Sequence, residues 1–205
     1  MKNKTNVFRL TLTAVFIAII AVMSFTPVGY LKIGIIEITF LVAPVVAGGV
    51  LLGKWGGLVL GAAFGVSSFL QCFGMSAFGA AMLSLNPFFT ALICLLPRLF
   101  FGFLAALLFE TLSKTRLPGA VNGALSFLCG SLLNTVLFVG LLVLLFGRTD
   151  YIASLMESLG AKNLLAFAFA FAGVNSLVEA ATNAVLGAAL TPALLRLKKQ
   201  AKVKV

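Results

Sequence analysis

FFTALICLLPRLFFGFLAALLFETLSKTRLPGAVNGALSFLCGSLLNTVLFVGLLVLLF, residues 88–146, decides the fold. It contains two apolar runs, 88–113 and 119–146, separated by the short polar turn Lys114–Pro118. Each run exceeds the roughly 20 residues that a helix needs to cross the hydrocarbon core of a bilayer.

Working outward, the rest of the chain repeats the pattern. Further apolar runs fall at about 8–26, 38–52, 55–72 and 163–196. Pro27 and Gly29 end the first, Pro44 sits inside the second, and Lys54-Trp55-Gly56 makes a tight turn into the third. The loops are Val28–Glu37, the uncharged Phe73–Pro87 and the mixed-charge Arg148–Lys162, which has room for a short surface helix. The chain is 61% hydrophobic and 10% charged, with a mean hydropathy of +1.17. An average soluble domain carries about 25% charged residues. The expectation is one all-α integral membrane domain over 1–205, a compact bundle of six transmembrane helices. The basic start followed by Leu10–Phe25 could mimic a signal peptide, but Ser24-Phe25-Thr26-Pro27 lacks a small-x-small cleavage pattern, so a retained first helix is expected.

The net charge of +10 marks topology rather than nucleic-acid binding, because the basic residues sit at chain ends and between apolar runs. With six spans, Lys2, Lys4, Arg9, Lys54, Lys114, Arg116, Arg196, Lys198, Lys199, Lys202 and Lys204 share one side; Lys32, Arg148 and Lys162 share the other. Both termini are therefore expected in the cytoplasm, in a multi-pass protein of the cell membrane. The longer loops then face outward, as suits a protein that receives something from outside.

Chemistry is sparse. There is no histidine, Asp150 is the sole aspartate, and no Ser–Lys pair stands at membrane depth, so enzymatic activity is not expected. Cys72, Cys94 and Cys129 lie in apolar surroundings without C-x-x-C spacing and read as small hydrophobes. No metal or cofactor is expected. Glu110, four residues before Lys114, reads as half of an interfacial ion pair.

Arg98 and Glu179 are different, since ionisable groups at membrane depth need a partner or a role. Asn175 and Asn183 flank Glu179 at helical spacing, Asn134 sits mid-span, and Asn86 closes the second loop. Two readings remain open. Arg98 pairs with Glu179 while the amides satisfy one another, or Arg98, Asn134, Asn175, Glu179 and Asn86 line a pocket for a small anionic molecule. The small residues Gly53, Gly57, Gly61 and Gly65 recur every fourth position and read as a helix-packing stripe. Ala14-x-x-x-Ala18 forms a second, weaker stripe with either packing or docking as its role. A channel and a small stand-alone secondary transporter are the competing classes, although secondary transporters usually carry repeated halves.

Several stretches carry a family resemblance: Ala14-x-x-x-Ala18, Leu52-Gly53-Lys54-Trp55-Gly56, Leu60-Gly61-Ala62-Ala63-Phe64-Gly65, Leu96-Pro97-Arg98, Gly130-Ser131-Leu132-Leu133-Asn134-Thr135 and Asn175-Ser176-Leu177-Val178-Glu179-Ala180. Over nearly its whole length the chain resembles the substrate-binding S components of energy-coupling-factor (ECF) transporters, most of all the branch assigned to pantothenate. The resemblance implies high-affinity vitamin binding, docking through Ala14 and Ala18 to a membrane-embedded coupling subunit, and energy from two cytoplasmic ATPase subunits. No G-x-x-x-x-G-K-[ST] occurs here, so ATP is left to those partners. Folate and riboflavin are the alternative vitamins. Riboflavin, having no carboxylate, would leave Arg98 without that role.

Overall fold

The computed structural model describes residues 2–33 and 36–200. In chain order it has α1 (Lys2–Ser24), a 3-10 turn (Pro27–Gly29), β1 (Tyr30–Ile33), β2 (Ile36–Thr39), α2 (Val42–Leu52), α3 (Lys54–Gln71), α4 (Ala77–Leu85), α5 (Pro87–Leu112), α6 (Gly119–Phe146), α7 (Asp150–Ser158) and α8 (Leu164–Gln200). Among the described residues, four stretches are long and apolar enough to cross a membrane: Asn6–Ser24, Pro87–Leu112, Gly119–Phe146 and Asn175–Lys199.

Three expectations need correction. Residues 38 and 39, assigned to the second span, end β2 instead. β1 and β2 form an antiparallel hairpin with Tyr30 opposite Thr39 and Ile33 opposite Ile36. The sixth span is not one helix over 163–196. Gly173, at φ 37° and ψ −141°, breaks α8 into 164–173 and 175–199, a conformation that only glycine adopts readily. Glu110 does not need Lys114, because its Oε1 accepts the backbone N–H of Lys54 at 3.0 Å, at the start of α3. Lys202 and Lys204, counted in the charge asymmetry, lie outside the described residues, as do Gly34 and Ile35 between the two strands.

α2 is the centre of the bundle. All 11 of its residues are buried, and it touches α1, α3, α5, α6 and α8. At about 1.5 Å per residue it is roughly 16 Å long, too short to cross a bilayer alone. Gly53, at φ 80°, turns the chain directly into α3. The far end of α2 is met by cations from both ends of the chain. Arg9 Nη2 donates to Leu52 O at 3.0 Å, and Lys198 Nζ donates to Val50 O at 2.8 Å. The first and last helices therefore bring their outer ends to the same end of the bundle.

The Gly57–Gly61–Gly65 stripe faces α5. A Cβ on Gly57 would lie 2.3 Å from Gly102 O, and one on Gly61 would lie 2.2 Å from Arg98 O. α6 and α8 cross just as closely, with Gly123 against Gly187 O. At the end away from the termini, α4 and α7 fill two of the expected loops. Ser76 caps α4 and Thr149 caps α7 through their hydroxyls. Met82 of α4, Ile152 of α7 and Phe167 of α8 pack there with Cys72, Ile93, Cys94, Leu142 and Phe146.

Candidate ligand-binding site

Pro97 lies inside α5. Proline has no backbone N–H, so it cannot bond the carbonyl four residues earlier, which is that of Ile93. The next side chain supplies the missing donor: Arg98 Nη1 donates to Ile93 O at 2.8 Å. The guanidinium carbon stands 4.6 Å from the ring centre of Phe138 on α6 and 5.5 Å from that of Phe64 on α3. Such contacts favour a cation more strongly as water is excluded. The glycine contact at Gly61 is what lets α3 carry Phe64 this close to Arg98. Proline, arginine and the two rings thus act as one corner.

The second half of the site lies between α6 and α8. Glu179 is buried at 7% exposure. Its carboxylate accepts from Ser131 Oγ at 3.1 Å and from the backbone N–H of Thr39 at 3.4 Å, so the end of the β-hairpin is tied to α8 through it. Phe138, which borders Arg98, follows Ser131 by seven residues on α6, two turns along the same face. Ser131 meets Glu179, and Gly123, eight residues earlier, meets Gly187, eight residues later. The helices therefore run antiparallel in a fixed register. One turn onward, Asn134 lies level with Asn175 and Ser176.

Asn134 is 8% exposed, and its Oδ1 has no hydrogen-bond partner among the described residues. A buried amide oxygen without a donor costs free energy unless water or a ligand supplies one. Asn175 is half-buried and opens the segment of α8 after the break at Gly173. Asn183 points back along α8, donating from Nδ2 to Glu179 O at 2.9 Å.

Asn86 has a structural task. Its Oδ1 accepts the N–H of Phe89 at 3.0 Å and caps α5, with Pro87 in the first helical turn. Ala14 and Ala18 are both exposed on α1, which buries only an edge, including Ile20 and Ser24, against the bundle. Cys72 and Cys94 are buried free thiols with their sulfurs 3.8 Å apart.

The sequence did not single out Ser131, the Thr39 amide, Phe64 or Phe138 as members of the site. Ser131 had a signal, since it precedes Asn134 by one helical turn. The Thr39 amide had none, because it depends on a long-range approach of the hairpin to α8. A groove of about 280 Å³ between α5 and α6 is apolar and includes Phe100, Val136 and Leu144, all facing outward. Pro97 lines it, but none of the candidate polar residues does, so it is an apolar surface crease on the outer side of the Pro97 corner.

Comparison with known proteins follows the same lines. The family described as "ECF transporter, substrate-specific component" matches residues 8–191. The pantothenate transporter PanT of Leuconostoc mesenteroides subsp. mesenteroides is 28% identical over an alignment covering 98% of each chain.

Proposed function

Because this chain belongs to the family of substrate-specific components of ECF transporters, we propose that it captures pantothenate at the outer face of the cell membrane and hands it to a separate coupling module. It is a multi-pass membrane transport protein. The observation that carries the substrate is the corner formed by Pro97 and Arg98, a positioned guanidinium within an apolar helix, bordered by Phe138 of the same α6 that carries Ser131 and Asn134. Pantothenate offers one carboxylate, one amide and two hydroxyls. Arg98 takes the carboxylate, and Asn134, Asn175 and Glu179 take the amide and hydroxyls. Asn86 is left to its capping role. The full-length likeness to a pantothenate transporter supports the same vitamin.

The reading includes the topology. α3, and the short α2 together with the hairpin that leads into it, complete six crossings, with both termini in the cytoplasm. The convergence of Arg9 and Lys198 on the end of α2 supports termini on one side, and the basic residues around them support the cytoplasm. A reporter that is active only in the cytoplasm should be active when fused to the C-terminus. Activity of the complementary external reporter there would reverse the orientation.

Partners follow from the same reading: a membrane-embedded coupling subunit and two cytoplasmic ATPase subunits. The purified chain should bind pantothenate more tightly than folate or riboflavin. Expressed in cells without a coupling module, it should bind the vitamin without accumulating it. Accumulation by the chain alone would place it among secondary transporters.

The exposed Ala14–Ala18 stripe is the proposed docking face, since small residues let another helix approach closely. Ala18→Trp and Ala14→Trp should leave vitamin affinity unchanged and abolish co-purification with the coupling subunit. Loss of vitamin binding with intact assembly would move the stripe to an internal role.

A further inference from the structure

We propose that Pro97 is the positioning residue of the site: by leaving the Ile93 carbonyl without a backbone donor, it fixes where the Arg98 charge stands. This inference rests on the reading that Arg98 receives the ligand's carboxylate.

At a non-proline position 97, the backbone N–H would bond Ile93 O and complete the turn. Pro97 removes that donor in the middle of α5. Ile93 is 2% exposed, so water has poor access to satisfy its carbonyl. Arg98 Nη1 occupies that acceptor at 2.8 Å. To do so, the side chain folds back along α5 by more than a turn. Phe138 and Phe64 then confine the planar group from α6 and α3. A guanidinium has five donors in a rigid fork, so fixing one nitrogen fixes the directions of the others. The missing backbone hydrogen bond is therefore a template for side-chain geometry.

This has a consequence that a merely structural proline does not share. Pro97→Ala restores an N–H that competes for Ile93 O and removes an unfavourable residue from a helix interior. The fold should gain stability while Arg98 loses its anchor. Stability and affinity for the acid should therefore move in opposite directions.

The test uses full-length purified protein in four forms: wild type, Pro97→Ala, Arg98→Gln and the double variant. Each is titrated with pantothenate and with its uncharged primary-alcohol analogue, and each is melted. Pro97→Ala should melt at or above wild type and bind pantothenate roughly tenfold more weakly, the size of one lost orienting hydrogen bond to a charged group. The alcohol analogue should bind it about as well as it binds wild type. The double variant should bind no more weakly than Arg98→Gln, because the two residues act through one contact. In Pro97→Ala, hydrogen exchange should show the backbone amide gained at position 97 to be protected, which reports directly that it has taken the carbonyl.

Three results would overturn the inference: unchanged acid affinity in Pro97→Ala, equal loss of both ligands with a lowered melting temperature, or rapid exchange of the amide gained at position 97. In each case a selective loss of the acid in Arg98→Gln leaves the reading of Arg98 standing. If Arg98→Gln itself shows no selective loss, the carboxylate reading fails first and this inference fails with it.

Discussion

Replacing Arg98 with glutamine should weaken pantothenate binding by roughly thirty-fold to several-thousand-fold, equivalent to about 2–5 kcal/mol, the usual cost of truncating one partner of a buried charged pair. The expectation comes from the surroundings of the guanidinium. It is held at Ile93 O and bordered by Phe138 and Phe64, so a carboxylate meets a positioned donor set in a medium that screens charge poorly. Arg98→Lys keeps the charge but loses the planar fork, and it should also be clearly impaired. The discriminating measurement is the pair of ligands described above. Selective loss of the acid identifies a direct contact. Equal loss of acid and alcohol, together with a lower melting temperature, would assign Arg98 to structural pairing with Glu179. Unchanged acid affinity would remove Arg98 from the site and with it the main argument for an anionic vitamin.

The largest effect on the fold is expected at Gly57. A Cβ there would sit 2.3 Å from Gly102 O, and a Cβ on Gly102 would sit 2.3 Å from Gly57 O. Both obstacles are backbone, so no side chain can swing aside. Gly57→Val must push α3 away from α5. Overpacking of this kind costs about 1–3 kcal/mol and sometimes more, and here it acts on a helix pair that also sets the distance from Phe64 to Arg98. The variant should lose its monodisperse form in detergent or melt well below wild type, and any folded fraction should bind pantothenate poorly. Gly140→Ala is the control. Its Cβ would meet nothing within 4 Å, so the change should be neutral or stabilising by up to about 1 kcal/mol. A wild-type melting curve for Gly57→Val would mean that the two helices are not in this contact.

The parts of the fold that could be read from sequence are those governed by local rules. The 88–113 and 119–146 runs became α5 and α6 almost residue for residue, because length, apolarity and the Lys114–Pro118 turn all act locally. The glycine stripe of α3 was legible for the same reason, since its period matches the helix. Gly173 was not. An isolated glycine in an apolar run is ordinarily tolerated inside a helix, and nothing adjacent to it marks a break. The hairpin was only half legible. Residues 30–39 alternate around Gly34 as strands do, but the apolar run beyond Ile38 reads equally well as the start of a helix.

The candidate site divides in the same way. Arg98, Asn134, Asn175 and Glu179 stand out in the sequence as polar residues in apolar stretches. Their partners depend on packing. Ser131 meets Glu179 because α6 and α8 cross at paired glycines, and the Thr39 amide arrives through a contact 140 residues apart in sequence. Glu110 shows the limit most clearly. Lys114 is its neighbour along the helix, but the Lys54 amide, brought over by the turn between α2 and α3, is the partner it has.

The two cations at the end of α2 bear on the order in which the chain acquires its structure. Val50 and Leu52 offer carbonyls that no later turn of α2 can use, in a helix whose side chains are all buried. Arg9 precedes Leu52 by 43 residues and is already made when α2 leaves the ribosome. Lys198 follows Val50 by 148 residues and comes with the last helix. The donor to Val50 O is therefore made only when almost the whole chain has been synthesised, and a nascent chain stopped before residue 198 lacks one of these two links between the chain ends and the central helix.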